Sequence, residues 1–153
     1  MSNYLRLCFL DDRDGTGKLI AWAEADGFSG HSGAYFNIEE LERFAEALQV
    51  FPLPPEDQRR SIASGFGSKE DHTKLAQEHL GISVYLANAQ RGYVGIQVRM
   101  ATEVWPDTRP ESKKQAVVEI LATYGPVSKF SRDLLSVLRG SLKEAVIEGE
   151  SQS

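Results

Sequence analysis

One cysteine, Cys8, in 153 residues rules out a disulfide within the chain. Lying in an alternating apolar stretch, it reads as a small core side chain rather than a nucleophile. Long hydrophobic runs are missing as well. None approaches the roughly 20 residues of a membrane-crossing helix. The N-terminal MSNYLRLCFLDD has one Arg before a brief apolar stretch and two aspartates after it, which suits a first strand better than a secretion signal. A cytoplasmic location with no membrane partner is expected. Histidine is scarce, and His31, His72 and His79 contain no pair four apart, so no zinc-binding helix face and no metal site are expected. Clustered base is lacking too: 17 Lys and Arg stand against 22 Asp and Glu. A nucleic-acid partner, which needs concentrated positive charge, is not expected.

The acid that is present is unevenly spread. Residues 1–50 hold Asp11, Asp12, Asp14, Glu24, Asp26, Glu39, Glu40, Glu42 and Glu46 against Arg6, Arg13, Lys18 and Arg43, which accounts for the whole net charge of −5. Such a surface suits a basic partner. The plainer alternative is a solvated helix face with acidic turns. An apolar fraction of 41% and a charged fraction of 25% are those of an ordinary globular chain. One domain over 1–148 is expected, followed by a disordered tail over 149–153.

Leu5, Leu7 and Phe9 alternate with Tyr4, Arg6 and Cys8, and the turn DDRDGTGK leads to two further strands over 18–26 and 28–36. At Asn37 the period changes. Asn37 is a good N-cap with Glu40 as its capping-box partner, and Ile38, Leu41, Ala45 and Leu48 repeat at helical spacing until Pro52, Pro54 and Pro55 end the run. Residues 51–79 are ambiguous, with a short strand at 61–67. Strands follow over 80–88 and 92–105 about the turn NAQRG, and another in KQAVVEILATYG. Pro126 opens a second helix, whose stripe of Val127, Phe130, Leu134, Leu138, Leu142 and Val146 predicts helix over 126–146. The two halves echo each other. An offset of 89 sets Ile38 on Val127, Leu41 on Phe130, Arg43 on Arg132 and Ala45 on Leu134. The expected fold is α+β, a largely antiparallel sheet with two helices on one face, with a βββα duplication as one reading of it.

Gly27, Gly30 and Gly33 recur every third residue just before the first helix and invite a phosphate-loop reading. The four residues AYFN separate them from the helix, no Lys-Ser or Lys-Thr pair follows, and glycine within a strand marks a bulge or close approach instead. Trp22 on the preceding strand is a candidate to pack across them. The turn holding Asp12, Asp14 and Gly15 lacks the glutamate and flanking helices of a calcium loop. His31 lies among small residues where a ligand can reach it, but no carboxylate is assignable as its orienter. Neither a catalytic residue nor a cofactor site is assigned. Glu39, Glu42 and Glu46 fall three and four apart on the first helix and share one outward stripe, so these and His31 are the candidate partner-binding residues.

The segment GFSGHSGAYFNIEELERFAEALQVF, followed by alternating strands such as YVGIQVRM and then a strand leading to a second helix, resembles the WapI-like group of bacterial immunity proteins. Members are similar in having a glycine- and serine-rich strand with an aromatic, then a helix of leucine-glutamate-x-phenylalanine type. Here those residues are Phe28, Ser29, Gly30, Tyr35, Leu41, Phe44 and Leu48. The likeness covers residues 3–50, and 80–140 in pattern; VFPLPPEDQRRSIASGFG departs from it. The resemblance implies a non-enzymatic protein, without cofactor, that binds and blocks a toxin domain of the same lineage. Two other readings stand beside it: a small-molecule or peptide binding module on the glycine-floored sheet, and an enzyme centred on His31.

Overall fold

The computed structural model describes residues 2–67, 70–71 and 73–150. Strands β1 (Tyr4–Asp11), β2 (Thr16–Ala25) and β3 (Phe28–Asn37) form an antiparallel meander. Burial alternates residue by residue along β2, so Leu19, Ala21 and Ala23 point inward while Ile20, Trp22 and Glu24 point outward. The β2–β3 turn is Asp26-Gly27, and both residues have positive φ, the geometry whose twist matches a two-residue hairpin. Helix α1 (Ile38–Ala47) follows and buries Leu41, Phe44 and Ala45.

After α1 the chain crosses to a second sheet. Strands β4 (Arg60–Gly67), β5 (Leu75–Asn88), β6 (Tyr93–Ala101) and β7 (Gln115–Ala122) lead to helix α2 (Tyr124–Leu138) and a last strand, β8 (Ala145–Glu148). The α+β, antiparallel architecture is the expected one, with its strands divided between two four-stranded sheets, β3-β2-β1-β8 and β4-β5-β6-β7. The division follows from where the chain goes after each helix. β4 pairs with β5 and β8 pairs with β1, so each helix hands its next strand to the first strand of the other repeat. α1 and α2 pack on each other and each touches both sheets. Their crossing is at small residues, where the Ser131 hydroxyl donates to the Ala45 carbonyl at 2.5 Å.

The duplication is visible in the topology, at a different offset from the sequence match. Asn37, Leu41, Phe44, Ala45 and Leu48 correspond to Thr123, Val127, Phe130, Ser131 and Leu134, 86 positions on. Aligning the N-caps sets buried residue on buried residue; the offset of 89 matches helical period alone. Leu5, Leu7, Leu19, Leu41, Leu80, Ile96, Ile120 and Leu134 form the centre of the core, essentially without exposure.

α2 is shorter than its apolar stripe. The helix stops at Leu138 because Gly140 takes φ +82°: its N–H donates to the Val137 carbonyl and the Ser141 N–H to that of Ser136, closing the last turn. Leu142 and Val146 therefore leave the helix, and Ala145 and Ile147 bury themselves as strand residues instead. The start of the supposed loose tail is tied down. The Gly149 and Glu150 N–H groups donate to the carbonyls of Asn3 and Leu121; Ser151–Ser153 lie outside the described residues. Cys8 is half-buried on the outer face of its sheet rather than in the core, since Leu5 and Leu7 take the inward positions. Burial pushes its thiol up, with Glu144 adding to the effect.

Candidate functional site

The acidic β1–β2 turn meets the start of the acidic helix α1, while Glu24 and Asp26 lie at the other end of β2. No side-chain bond from Asn37 caps α1, and the expected Asn37–Glu40 capping box does not form. The Ile38 N–H donates instead to the Gly15 carbonyl of the β1–β2 turn at 2.9 Å, next to the paired residues Thr16 and Asn37. That bond satisfies one of the orphan donors of the helix and seats the turn on its N-terminus. Asp11, Asp12 and Asp14 at the turn, all exposed, thus precede the helix that carries Glu39, Glu42 and Glu46. Glu39 and Glu46 are exposed and Glu42 partly so, while Arg13 and Arg43 are the intervening cations. The Thr16 hydroxyl and backbone N–H both donate to Asp14, which holds its carboxyl below the usual carboxylate range. Glu39 and Glu40 also face the partial positive charge at the helix start, which favours them there.

His31 is not part of this surface. It stands six residues before Asn37 on β3, about 20 Å away along an extended strand, exposed and opposite Trp22. It borders a hollow of about 320 Å³ between the two sheets, together with Lys114 and with Gly30, Met100 and Ala116 among its walls; no carboxylate among the described residues lines it. The glycines have a steric reason. A Cβ on Gly30 would lie 3.0 Å from the Ala116 Cβ and 3.3 Å from the Met100 Cε, so this glycine lets β3 approach the facing sheet. Gly33 is crowded by Lys18, Leu19 and Ile20 of its neighbouring strand. Trp22 packs across neither; it lies on the outer face, with the Arg6 guanidinium 4.7 Å from its ring centre. His79 is 4% exposed, its Nε2 3.0 Å from the Gln77 Oε1, and so is no surface residue. His72 lies outside the described residues. Among the described residues no cluster of His, Cys, Asp or Glu could hold a metal ion.

Another polar cluster joins side chains of β5, β6 and β7. On the outer face of the second sheet the Arg99 Nε donates to Glu78 at 2.7 Å, and its Nη1 donates to Ser83 and to Gln97, both at 2.9 Å. Arg59 reaches the same Gln97 oxygen at 3.2 Å and lies 4.4 Å over the Tyr85 ring, whose hydroxyl donates to Glu119. Burial, then the bond to Glu119, raises the Tyr85 phenol well above its ordinary value. Gly95 and Gly81 make room for this layer, since a Cβ there would run into the Tyr85 ring or the Glu78–Arg99 pair. Period-two spacing of Ser83 with Tyr85 and of Gln97 with Arg99 was the available signal. It places all four on one face, but not in contact. The network is internally satisfied and near neutral, and it locks the face of its sheet.

Comparison with family models, curated proteins and solved structures finds no match. No helix among the described residues is long and apolar enough to cross a membrane.

Proposed function

We propose that the chain is a non-enzymatic binding protein of the immunity type, which holds a basic toxin domain of its own lineage against the acidic ridge built from the β1–β2 turn and α1. The supporting observation is the bond from the Ile38 N–H to the Gly15 carbonyl. It joins the acidic β1–β2 turn to the start of α1 through backbone, although the two segments lie more than twenty residues apart in sequence. Preorganised charge of one sign steers an oppositely charged partner into encounter and speeds association at low salt. Like charges three and four apart on a helix oppose its stability by a few tenths of a kcal/mol per pair. A binding role explains their retention, with the helix dipole and Arg43 offsetting part of the cost.

The test uses the whole chain as bait in extracts of its own source, as wild type and as the Glu39→Lys, Glu42→Lys, Glu46→Lys variant. The expected result is a basic protein retained by the wild type and released by the variant, whose toxicity on expression is relieved by the wild-type chain alone. Its association rate with the wild type falls steeply as ionic strength rises. A basic partner retained equally by both chains would exclude the ridge, and retention of no basic protein would exclude the immunity reading.

A further inference from the structure

Among the described residues, one edge of the second sheet carries no partner strand. β7 is the last strand of its sheet, so among the described residues no strand pairs with its outer side. The Leu121 carbonyl points to that side, where it accepts the Glu150 N–H. By the period of two, the backbone groups of Gln115, Val117 and Glu119 point the same way. No backbone bond among the described residues uses Val117 or Glu119 there. Val117 is 60% exposed, and Phe28, across a hollow of about 370 Å³ from it, is 75% exposed. A free strand edge carrying exposed apolar side chains is a template for pairing with another chain.

The surroundings of the edge are polarised along its length. At its start, the cation Lys114 borders the hollow, which no carboxylate among the described residues lines. Further along, the second hollow is bordered by Asp26 and Glu119. An antiparallel copy of the same edge reverses this order and sets acidic end on basic end in both directions at once. We infer that β7 pairs antiparallel with β7 of a second copy of this chain, about a two-fold axis at Val117, joining the two second sheets into one eight-stranded sheet.

Several observations choose the register. Glu150 occupies the edge at Leu121, which leaves Gln115–Glu119, a segment centred on Val117. Pairing there sets Val117 on its own copy and Gln115 opposite Glu119 of the other chain. An axis at Glu119 would oppose two carboxylates, which is unfavourable across a strand pair. An axis at Val118 would set Val117 against a carboxylate. With the axis at Val117, Asp26 and Phe28 of the second copy are carried toward the Lys114 and His31 end of the first, where the hollow walled by Met100 and Ala116 receives an apolar ring. This interface is isologous, so the assembly closes at two chains. It lies at the opposite end of β2 and β3 from the acidic ridge and does not depend on it.

Sedimentation velocity of the whole chain across a concentration series tests this, with Val117→Asp and Phe28→Ser as variants. Both positions are exposed, so the fold should persist, and circular dichroism checks that it does. The wild type is expected to sediment as a pair of 17.0 kDa chains at about 100 µM, and each variant to raise the dimer Kd at least about tenfold. Val117→Asp puts two carboxylates opposite each other at the axis, which opposes pairing there. A wild type that stays monomeric at that concentration, or a dimer indifferent to both substitutions, would overturn the inference.

Discussion

The close approach at Gly30 makes a quantitative prediction about how the two sheets meet. A methyl group on residue 30 would sit 3.0 Å from the Ala116 Cβ and 3.3 Å from the Met100 Cε. Carbon atoms prefer separations of about 3.5–4.0 Å. Met100 yields by turning its end group, whereas the Ala116 Cβ is fixed to the backbone of β7, so the sheets must part by about half an ångström or more. Overpacking of this kind costs about 1–3 kcal/mol. Replacing glycine by alanine restricts the unfolded chain and returns about 0.4–1 kcal/mol. Gly30→Ala should therefore be mildly destabilising, by about 1 kcal/mol, and Gly30→Val more so, by about 2 kcal/mol. The decisive measurement is a double-mutant cycle. Ala116→Gly removes the atom that the new methyl meets, so the pair Gly30→Ala with Ala116→Gly should be more stable than the sum of its parts by about 1 kcal/mol. Urea midpoints of the four proteins at constant m-value measure this directly. Additivity within about 0.5 kcal/mol would refute the contact as the reason for glycine at this position.

Tyr85→Phe should lower stability at neutral pH by about 1.5–3 kcal/mol, the range for a hydrogen bond to a charged group, here Glu119. Because the folded phenol is raised above its unfolded value of about 10, its stabilisation is complete below that pH and is lost as pH rises beyond it. The variant should flatten the alkaline decline of the urea midpoint, and an unchanged decline would deny Tyr85 that role. Gly140→Ala forces a side chain onto φ +82° and should cost about 1–2 kcal/mol. At this chain length that lowers the melting temperature by several degrees, about 2–4 °C per kcal/mol. Gly140→Asn should cost less, and equal melting temperatures for wild type and alanine variant would contradict the helix stop.

Much of the architecture is local and could be read from the chain. The alternation of Leu5, Leu7 and Phe9, the helical spacing after Asn37, the prolines from Pro52 to Pro55 and the pairing of Leu80–Leu86 with Val94–Met100 are near-neighbour patterns, and each became the element it predicts. Gly140 falls inside the apolar stripe through Leu142 and Val146, and helical period does not register a left-handed stop. The acids of the candidate ridge were visible by composition, and its assembly was not. Only the meander brings the Gly15 carbonyl onto the Ile38 N–H, and no property of either segment alone encodes that meeting. Other features belong to tertiary structure for the same reason. These are the exchange of β4 and β8 between repeats, the approach of Ala116 that requires Gly30, the Arg99 and Tyr85 network, and the edge position of β7. Periodicity states which side of an element is buried, whereas the identity of what it is buried against depends on residues tens of positions away.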